Sequence, residues 1–157
     1  MKIAMYSGSF DPVTAGHVHL IEKGAALFDK LIVAVMRNSA KTPMFSIDER
    51  LRFLQLATSH VPNAEVFSFD GLQAAFAKEV GATHLMRGLR SADDFSMEYT
   101  IALVNKSQNP GLETVFLTPD AQYSHICSAA VRDLISYSGD VSGFVPKEII
   151  SEINRVK

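Results

Sequence analysis

Short apolar segments that alternate with helical segments restrict this chain to one class of fold. The segments are as long as buried strands usually are, and they lie at residues 3–6, 31–36, 64–69, 83–86 and 114–117. Strands that are joined by helices form βαβ units with right-handed crossovers, and their sheet is covered on both faces. The sequence therefore predicts an α/β fold, doubly wound, with a five-stranded parallel sheet and helices on both faces.

The helix predictions rest on periodicity and on capping residues. Apolar residues recur with helical spacing over residues 18–28, between the first two strands. Ser46 with Glu49 has the form of a capping box, and Ser91 with Asp94 can cap a helix that runs to about residue 105. The other helix predictions cover residues 72–80, 128–137 and 146–155.

Composition limits the functions that need to be considered. The chain has 157 residues, of which 47% are hydrophobic, and a formal net charge of -2, which fits one domain over residues 1–157. Nucleic acid is not an expected partner, because proteins that grip it usually carry a basic excess. The longest apolar run, residues 31–36, is too short to span a membrane, and residues 1–6 do not resemble a signal peptide. The single cysteine, Cys127, allows no internal disulfide, so the expected location is the cytoplasm, away from membranes.

In a doubly wound sheet, ligands bind at the carboxyl ends of the strands, and residues 7–17 form the first loop at that edge. Glycines, hydroxyls and His17 lie there where a strand leads into a helix, which favours phosphate binding. The alternative is a polar turn in which His17 makes only a local hydrogen bond. GxxxxGK(S/T) is absent and Gly8 does not begin a GxGxxG, so a P-loop NTPase and an ordinary NAD-binding fold are disfavoured.

Four separated stretches carry a resemblance to known proteins. Residues 6–17 resemble the signature of the HxGH-type nucleotidyltransferase superfamily, with Thr14 in place of its first histidine. Residues 41–50, 87–98 and 123–128 are similar to motifs of the bacterial phosphopantetheine adenylyltransferases. The stretches stand in the family's order and span nearly the whole chain, and the resemblance implies a Rossmann-like nucleotidyltransferase fold.

The resemblance also implies a reaction. The adenylyl group of ATP would pass to the phosphate of 4′-phosphopantetheine by in-line attack on the ATP α-phosphate, giving dephospho-coenzyme A and pyrophosphate. The attacking phosphate, with a second pKa of about 6, is mostly ionised at neutral pH, so the reaction needs alignment and positive charge rather than a general base. Mg²⁺ bound with ATP, a homo-hexamer and coenzyme A as a feedback ligand are further implications. No metal site made of protein side chains is expected, since His17 and His19 point to different faces of one helix and the other three histidines lie in separate elements.

Individual roles follow from the same resemblance. His17 would stabilise the transition state, and Ser9, Lys41 and Arg90 would complete the catalytic group. The residues that would bind 4′-phosphopantetheine are Ser9, Lys41, Leu72, Gln73 and Arg87. The residues that would bind ATP are Ser9, Phe10, His17, Gly88, Leu89, Arg90, Glu98, Tyr123, Ser124, His125, Ile126, Cys127, Ser128 and Ala129.

Other interpretations remain open. Arg87 and Arg90 could be surface charges that pair with Asp93 and Asp94, and Glu98 could be an acid on a helix surface. Two other functions fit the same motifs: adenylyl transfer to another phosphorylated acceptor, such as nicotinamide mononucleotide, and a non-catalytic sensor of nucleotide or coenzyme A.

The last loop departs most from the family pattern. Tyr123 replaces a tryptophan, His125 replaces a more apolar residue, and Cys127 and Ala129 remove two hydroxyls. The backbone N–H donors of this loop are independent of those side chains, so ATP binding is expected to be retuned rather than lost.

Overall fold

A computed structural model describes residues 1–37, 40 and 42–156 of the chain. Over these residues the elements, in chain order, are β1 Ile3–Gly8, α1 Ala15–Leu27, β2 Lys30–Met36, α2 Ile47–Ala57, β3 Ala64–Phe69, α3 Gln73–Glu79, β4 His84–Gly88, α4 Ala92–Gln108, β5 Glu113–Leu117, α5 Ser128–Ser136 and α6 Lys147–Arg155. A short 3₁₀ turn, Ala121–Tyr123, precedes α5. The five predicted strands are confirmed with small shifts at their ends.

All strand pairs in the sheet are parallel, and their order is β3-β2-β1-β4-β5. The chain builds outward from β1 to β2 and β3, and it then returns to the other side of β1 with β4 and β5. This reversal between β1 and β4 creates a topological switch point, where doubly wound proteins place their ligand crevice. The predicted fold class is confirmed.

The two faces of the sheet have separate cores. One core joins Tyr6 of β1 to Ile21 of α1, Phe53 of α2, Val131 of α5 and Ile149 of α6, and we name this side the α1 face. The other core, on the α3 face, joins Met5, Ile32 and Leu85 of the sheet to Ala74 and Ala77 of α3. The helix α4 packs beside α3 and β5.

The first strand is longer than the sequence indicated. Ser7 and Gly8, which were assigned to the loop, continue the ladder of β1 opposite Ala34 and Val35 of β2. Because side chains alternate along a strand, Ser7 lies on the α3 face with Met5, while its neighbours lie on the α1 face. Ser7 and Gly8, which begin the predicted phosphate-binding segment 7–17, are thus held by hydrogen bonds of the sheet.

The helix starts follow the predicted capping chemistry. Ser46 Oγ accepts from the Glu49 N–H at 3.2 Å, and Glu49 Oε2 accepts from the Ser46 N–H at 2.8 Å, a complete capping box for α2. Ser91 Oγ accepts from the Asp94 N–H at 3.3 Å and caps α4, which continues beyond its predicted end to Gln108. Within the described ranges, no helix combines the length and the apolar character that crossing a membrane requires.

Candidate active site

A cavity of about 290 Å³ lies at the carboxyl end of β1, at the topological switch point. It collects side chains from three of the four motif stretches, those at 6–17, 87–98 and 123–128. The predicted ATP-binding residues in its lining are Phe10, His17, Gly88, Arg90, Glu98, Tyr123, Ile126, Cys127 and Ser128. The others, Ser9, Leu89, Ser124, His125 and Ala129, lie outside that lining.

His17 is held in one orientation by the residue that caps its helix. The Thr14 N–H donates to His17 Nδ1 at 3.0 Å, and Thr14 Oγ1 accepts from the His17 N–H at 3.3 Å. Since Nδ1 accepts a backbone hydrogen bond, the ring proton of the neutral imidazole is on Nε2. Burial lowers the pKa of His17 to about 4, and the positive charges of Arg90 and Arg87 act in the same direction. The ring is therefore a neutral donor at physiological pH.

Aromatic side chains pack against the imidazole of His17. Phe10 is buried, with its ring edge-on to His17 at a centroid distance of 5.0 Å and edge-on to Tyr6 at 5.4 Å. Its φ of 45° lies in the left-handed region that non-glycine residues seldom adopt, a kind of strain that is concentrated at functional sites. Burial raises the pKa of Tyr6 to about 12, so this cavity residue keeps its hydroxyl proton.

Arg87 and Glu98 form a paired group in the cavity wall. Arg87 Nε and Nη2 each donate to a Glu98 carboxylate oxygen at 2.7 Å, and Arg87 Nη1 donates to the Ser7 carbonyl at 2.7 Å. Burial opposes the charge of Arg87, but the hydrogen bonds and charge of Glu98 outweigh it and raise the pKa of Arg87. Glu98 is thus not a free surface acid, because both of its oxygens accept hydrogen bonds from Arg87.

Arg90 is the more open of the two arginines in the Arg-Gly-Leu-Arg stretch. Its backbone N–H and its Nε donate to Asp94 Oδ2, at 2.9 and 3.3 Å. Burial opposes the ionised form of Asp94, but the Arg90 hydrogen bonds and charge prevail and lower the pKa of Asp94. The ion pair that the sequence left open for Arg90 is therefore present, and the guanidinium remains half-exposed beside the cavity.

The stretch before α5 brings backbone donors to the cavity. Cys127 caps the helix, with its Sγ accepting from the Ala130 N–H at 3.5 Å, and Ser128 Oγ donates to the Pro12 carbonyl at 2.8 Å. The His125 ring packs edge-on against Phe144 instead, at 5.9 Å. The helix start of α5 therefore faces the same space as His17, which suits it to bind an anion.

Ser9 opens into an adjoining cavity of about 280 Å³ on the other side of the loop. Arg37, Arg50 and Arg132 share its wall, and Arg50 Nη1 donates to the Ser9 carbonyl at 2.9 Å. Burial and the nearby charge of Arg37 lower the pKa of Arg50, while Asp11 opposes them. Positive charge is therefore concentrated around the cavity that Ser9 lines, in addition to that of Arg87 and Arg90 near His17.

Asp11 joins the loop after β1 to the loop after β2. Its two carboxylate oxygens accept from the N–H groups of Met44 and Phe45, both at 2.9 Å, and its carbonyl accepts from Arg132 Nη1 at 2.8 Å. Lys41, predicted as a catalytic and acceptor-binding residue, lies outside the described residues.

Leu72 and Gln73, two of the residues predicted to bind 4′-phosphopantetheine, lie at the start of α3. Leu72 is largely exposed, and Gln73 Oε1 accepts from Asn105 Nδ2 at 3.2 Å. In the described part of the chain, Ser7 Oγ is the one buried side-chain polar atom without a hydrogen-bond partner. A bound ligand is one way to satisfy such a group.

Sequence reasoning missed the supporting residues of the site. Thr14 appeared only as a departure from a signature, and Asp11 and Asn105 did not appear as functional candidates. A helix-capping residue three positions before His17 was the available signal for Thr14. Nothing local signalled Asn105, because its partner Gln73 is distant in sequence.

No three histidine, cysteine, aspartate or glutamate side chains converge as a metal site within residues 1–37, 40 and 42–156. The two carboxylates of the main cavity, Asp94 and Glu98, are each bound to an arginine. Any metal in this cavity would therefore depend mainly on ligands that the substrate brings.

Comparison with known proteins places the chain in a family. The cytidylyltransferase-like family matches residues 5–134. A phosphopantetheine adenylyltransferase of Caldanaerobacter subterraneus is 49% identical over 97% of this chain and 94% of that protein, and one of Helicobacter pylori strain J99 is 49% identical over 99% of both. A solved structure from Vibrio parahaemolyticus, described as a candidate nicotinate-nucleotide adenylyltransferase, has a TM-score of 0.67 at 15% identity and covers 99% of this chain and 91% of its own; it supports the fold alone. The chain belongs to the cytidylyltransferase-like family and, by its nearly full-length similarity, to the phosphopantetheine adenylyltransferases.

Proposed function

We propose that the protein transfers the adenylyl group of ATP to 4′-phosphopantetheine, giving dephospho-coenzyme A and pyrophosphate. The observation that carries the proposal is the meeting of three separated motif stretches around one cavity at the switch point. The nearly full-length similarity to phosphopantetheine adenylyltransferases selects the acceptor among phosphorylated metabolites.

His17 is the centre of the proposed chemistry. An oxygen of the acceptor phosphate attacks the α-phosphorus of ATP, and the bond from that phosphorus to the pyrophosphate oxygen breaks. The Nε2 proton of His17 donates to an α-phosphate oxygen as negative charge gathers there, and Thr14 keeps that donor aimed. The acceptor phosphate is already ionised, so no residue needs to remove a proton from it.

The two faces of β1 divide the substrates in this proposal. ATP lies on the α1 face, with its phosphates between His17, Arg90 and the start of α5. The acceptor lies toward the α3 face, where Ser7 Oγ and the Gln73–Asn105 pair offer hydrogen bonds to the pantetheine arm.

Positive charge near the transfer point comes from several sources. Arg87, which is held by Glu98, has further guanidinium protons for the acceptor phosphate, while Arg90 serves the nucleotide phosphates. Ser9 and Lys41 complete the catalytic group by the family resemblance. Mg²⁺ would enter with ATP, held by phosphate oxygens and water, and would neutralise part of the phosphate charge.

We also propose that the protein works as a homo-hexamer in the cytoplasm, with coenzyme A as a feedback ligand. In support of an assembly, α4 carries large apolar side chains that are between 45% and 66% exposed: Phe95, Met97, Tyr99, Leu103 and Val104.

Pyrophosphate release provides the test of the function. The purified protein is incubated with ATP, Mg²⁺ and, in separate reactions, 4′-phosphopantetheine, nicotinamide mononucleotide or no acceptor. We expect release with 4′-phosphopantetheine alone. His17→Ala should lower turnover by about 100-fold to 1000-fold while it weakens ATP binding far less.

Each alternative has a distinct result in this assay. Release only with nicotinamide mononucleotide would assign the other acceptor. ATP or coenzyme A binding without release, in folded protein and with every acceptor, would indicate a sensor.

A further inference from the structure

One stripe of α1 holds the segment that leads from β5 to α5. Gly16, His19 and Lys23 are spaced three and four residues apart, so they lie on the same side of the helix. All three contact residues 118–123, the segment that ends in the cavity residue Tyr123.

Lys23 and His19 share one partner at the centre of this contact. Lys23 Nζ donates to the Thr118 carbonyl at 2.9 Å and to Asp120 Oδ1 at 2.7 Å. His19 Nε2 lies 3.2 Å from Asp120 Oδ1 and 3.3 Å from the Asp120 backbone nitrogen. A protonated Nε2 donates to the carboxylate and an unprotonated Nε2 accepts from the backbone N–H, so His19 contacts Asp120 in either tautomer.

The electrostatics of Asp120 agree with this geometry. Hydrogen bonds from Lys23 and His19 are the leading causes that lower the pKa of Asp120. The carboxylate therefore stays ionised, and the attachment persists, over the neutral range.

His19 also fixes the ring of Tyr123. The two rings are stacked, with a centroid distance of 4.5 Å and an interplanar angle of 26°. Gly16 lies beside the backbone of Tyr123, since a Cβ built at this glycine would be in ordinary contact with the Tyr123 carbonyl oxygen, at 3.7 Å. Tyr123 is thus held through its ring at the wall of the main cavity and packs against α1 at Gly16.

Gly16 borders the main cavity, whereas His19 and Lys23 lie outside its lining. Two residues along a helix rotate the side chain by roughly half a turn, so His19 points away from the cavity that His17 lines. One helix therefore carries the catalytic donor on one side and holds the nucleotide loop on another.

We propose that His19 and Lys23 are positioning residues that fix Tyr123 and the start of α5 relative to His17, and that they thereby set the affinity for ATP. The inference rests on the proposed function in taking the adenine nucleotide as the ligand of the main cavity. His19 acts through ring stacking, and Lys23 acts through the attachment of residues 118 and 120.

Four variants separate these contributions. His19→Ala removes the stack and the Asp120 contact, His19→Phe keeps a ring over Tyr123, and Lys23→Met keeps the aliphatic stem but removes the ammonium. His60→Ala is the matched control, because the His60 side chain is hydrogen-bonded to Glu22 at 2.7 Å in an exposed position and does not contact residues 118–120. Thermal melting of each variant identifies any general loss of stability.

Two measurements are made on every variant. Steady-state kinetics give kcat and the KM of each substrate, and calorimetric titration with α,β-methylene-ATP and Mg²⁺ gives nucleotide affinity without turnover. We expect His19→Ala and Lys23→Met to raise the KM for ATP and the analogue Kd by about fivefold to tenfold. We expect kcat and the KM for the acceptor to stay within about twofold of wild type, with His19→Phe and His60→Ala close to wild type throughout.

The possible outcomes distinguish a failure of this inference from a failure of the proposed function. Wild-type nucleotide affinity in His19→Ala and Lys23→Met would overturn the positioning role and leave the activity untouched. Equal rises in the KM for both substrates, or an effect of His19→Phe as large as that of His19→Ala, would also overturn it. Absence of pyrophosphate release by wild type would refute the function, while the analogue titration would still test the inference.

Discussion

At the scale of single residues, the placement of one proton depends on Thr14. The sequence identified His17 and offered two interpretations, a phosphate-binding residue and a residue with a local hydrogen bond. The structure shows the local hydrogen bond from the Thr14 N–H, and that bond directs the Nε2 proton toward the cavity. The tautomer could not be predicted from the sequence, because it depends on a hydrogen bond whose geometry exists only in the folded turn.

The low pKa of His17 leads to a prediction about pH. The unfolded chain binds a proton at His17 below about pH 6.5, whereas the folded chain does so only near pH 4. As the pH falls from about 6.5 to 4, the unfolded chain gains a proton at His17 that the folded chain does not, so the protein becomes less stable. Above about pH 6.5, His17 is neutral in both states and causes no such loss. Because the ring is partly open to the cavity, we expect the loss in the free energy of unfolding to be about 2 kcal/mol between pH 7 and pH 4.

Chemical denaturation between pH 7 and pH 4 measures the loss in the free energy of unfolding. In the His17→Gln variant, this part of the pH dependence should be absent. The Cε1 proton resonance of His17, identified by its absence from the His17→Gln spectrum, should titrate near pH 4. A midpoint at the ordinary value of about 6.5 would contradict the buried neutral donor.

The pairing of Arg87 with Glu98 gives the second prediction at this scale. Glu98→Gln keeps one acceptor but removes the charge, so Arg87 loses its bidentate partner in a mostly buried setting. If Glu98 acts through Arg87, the KM for 4′-phosphopantetheine should rise by about tenfold, with a smaller change in the KM for ATP.

Kinetics with both substrates varied in turn measure the two KM values. Glu113→Gln, at an exposed ion pair with Lys106, is the control and should match wild type. A larger rise in the KM for ATP than in the KM for the acceptor would instead indicate direct contact between Glu98 and the nucleotide.

At the scale of elements, the approach of α1 to the sheet depends on a glycine. A Cβ built at Gly24 would overlap Met86 Sδ and would lie 3.4 Å from Leu31 Cδ2, both in fully buried side chains. Gly24→Ala should therefore destabilise the protein by about 1 to 3 kcal/mol, because overpacking outweighs the gain in helix propensity.

Urea denaturation monitored by circular dichroism measures this change. Ala25→Gly, at the neighbouring and less buried position, separates overpacking from helix propensity, since a glycine there costs about 1 kcal/mol by propensity alone. Unchanged or increased stability of Gly24→Ala would mean that Met86 moves aside at no cost.

Local sequence patterns predicted the helices and strands well, but they did not predict which of these elements lie next to each other. Strands and helix starts were recognised because apolar runs and the Ser46–Glu49 box act within a few residues. The strand order and the stripe on α1 depend on contacts across long stretches of chain, such as Lys23 with Asp120. The sequence offered an ion pair between Arg90 and Asp94, which the structure shows, but it did not indicate that Glu98 pairs with Arg87.

At the scale of the whole molecule, the exposed apolar side chains of α4 predict an assembly. Leu103 and Val104 are each more than half exposed on a helix that packs beside α3 and β5. We expect light scattering coupled to gel filtration to give the mass of six 17.2 kDa chains. Leu103→Glu should produce smaller species, because a charge there would be buried in the interface.

The control for this experiment is Lys78→Glu, on the neighbouring helix α3, which changes a surface charge without placing one on α4. Wild-type protein that remains monomeric at micromolar concentration would refute the assembly. If Leu103→Glu forms hexamers as stable as those of wild type, the interface between subunits does not include Leu103.

The alternation of side chains along β1 bears on stereochemistry. Tyr6 lies on one face of the sheet and Ser7 on the other. In the proposed reaction the acceptor phosphate arrives from the side of Ser7, opposite to the pyrophosphate that leaves. When the nucleophile and the leaving group lie on opposite sides of the phosphorus atom, the displacement inverts its configuration. With an α-thiotriphosphate that is chiral at phosphorus, each in-line transfer should therefore give product of inverted configuration, whereas a covalent adenylyl-enzyme intermediate would give retention.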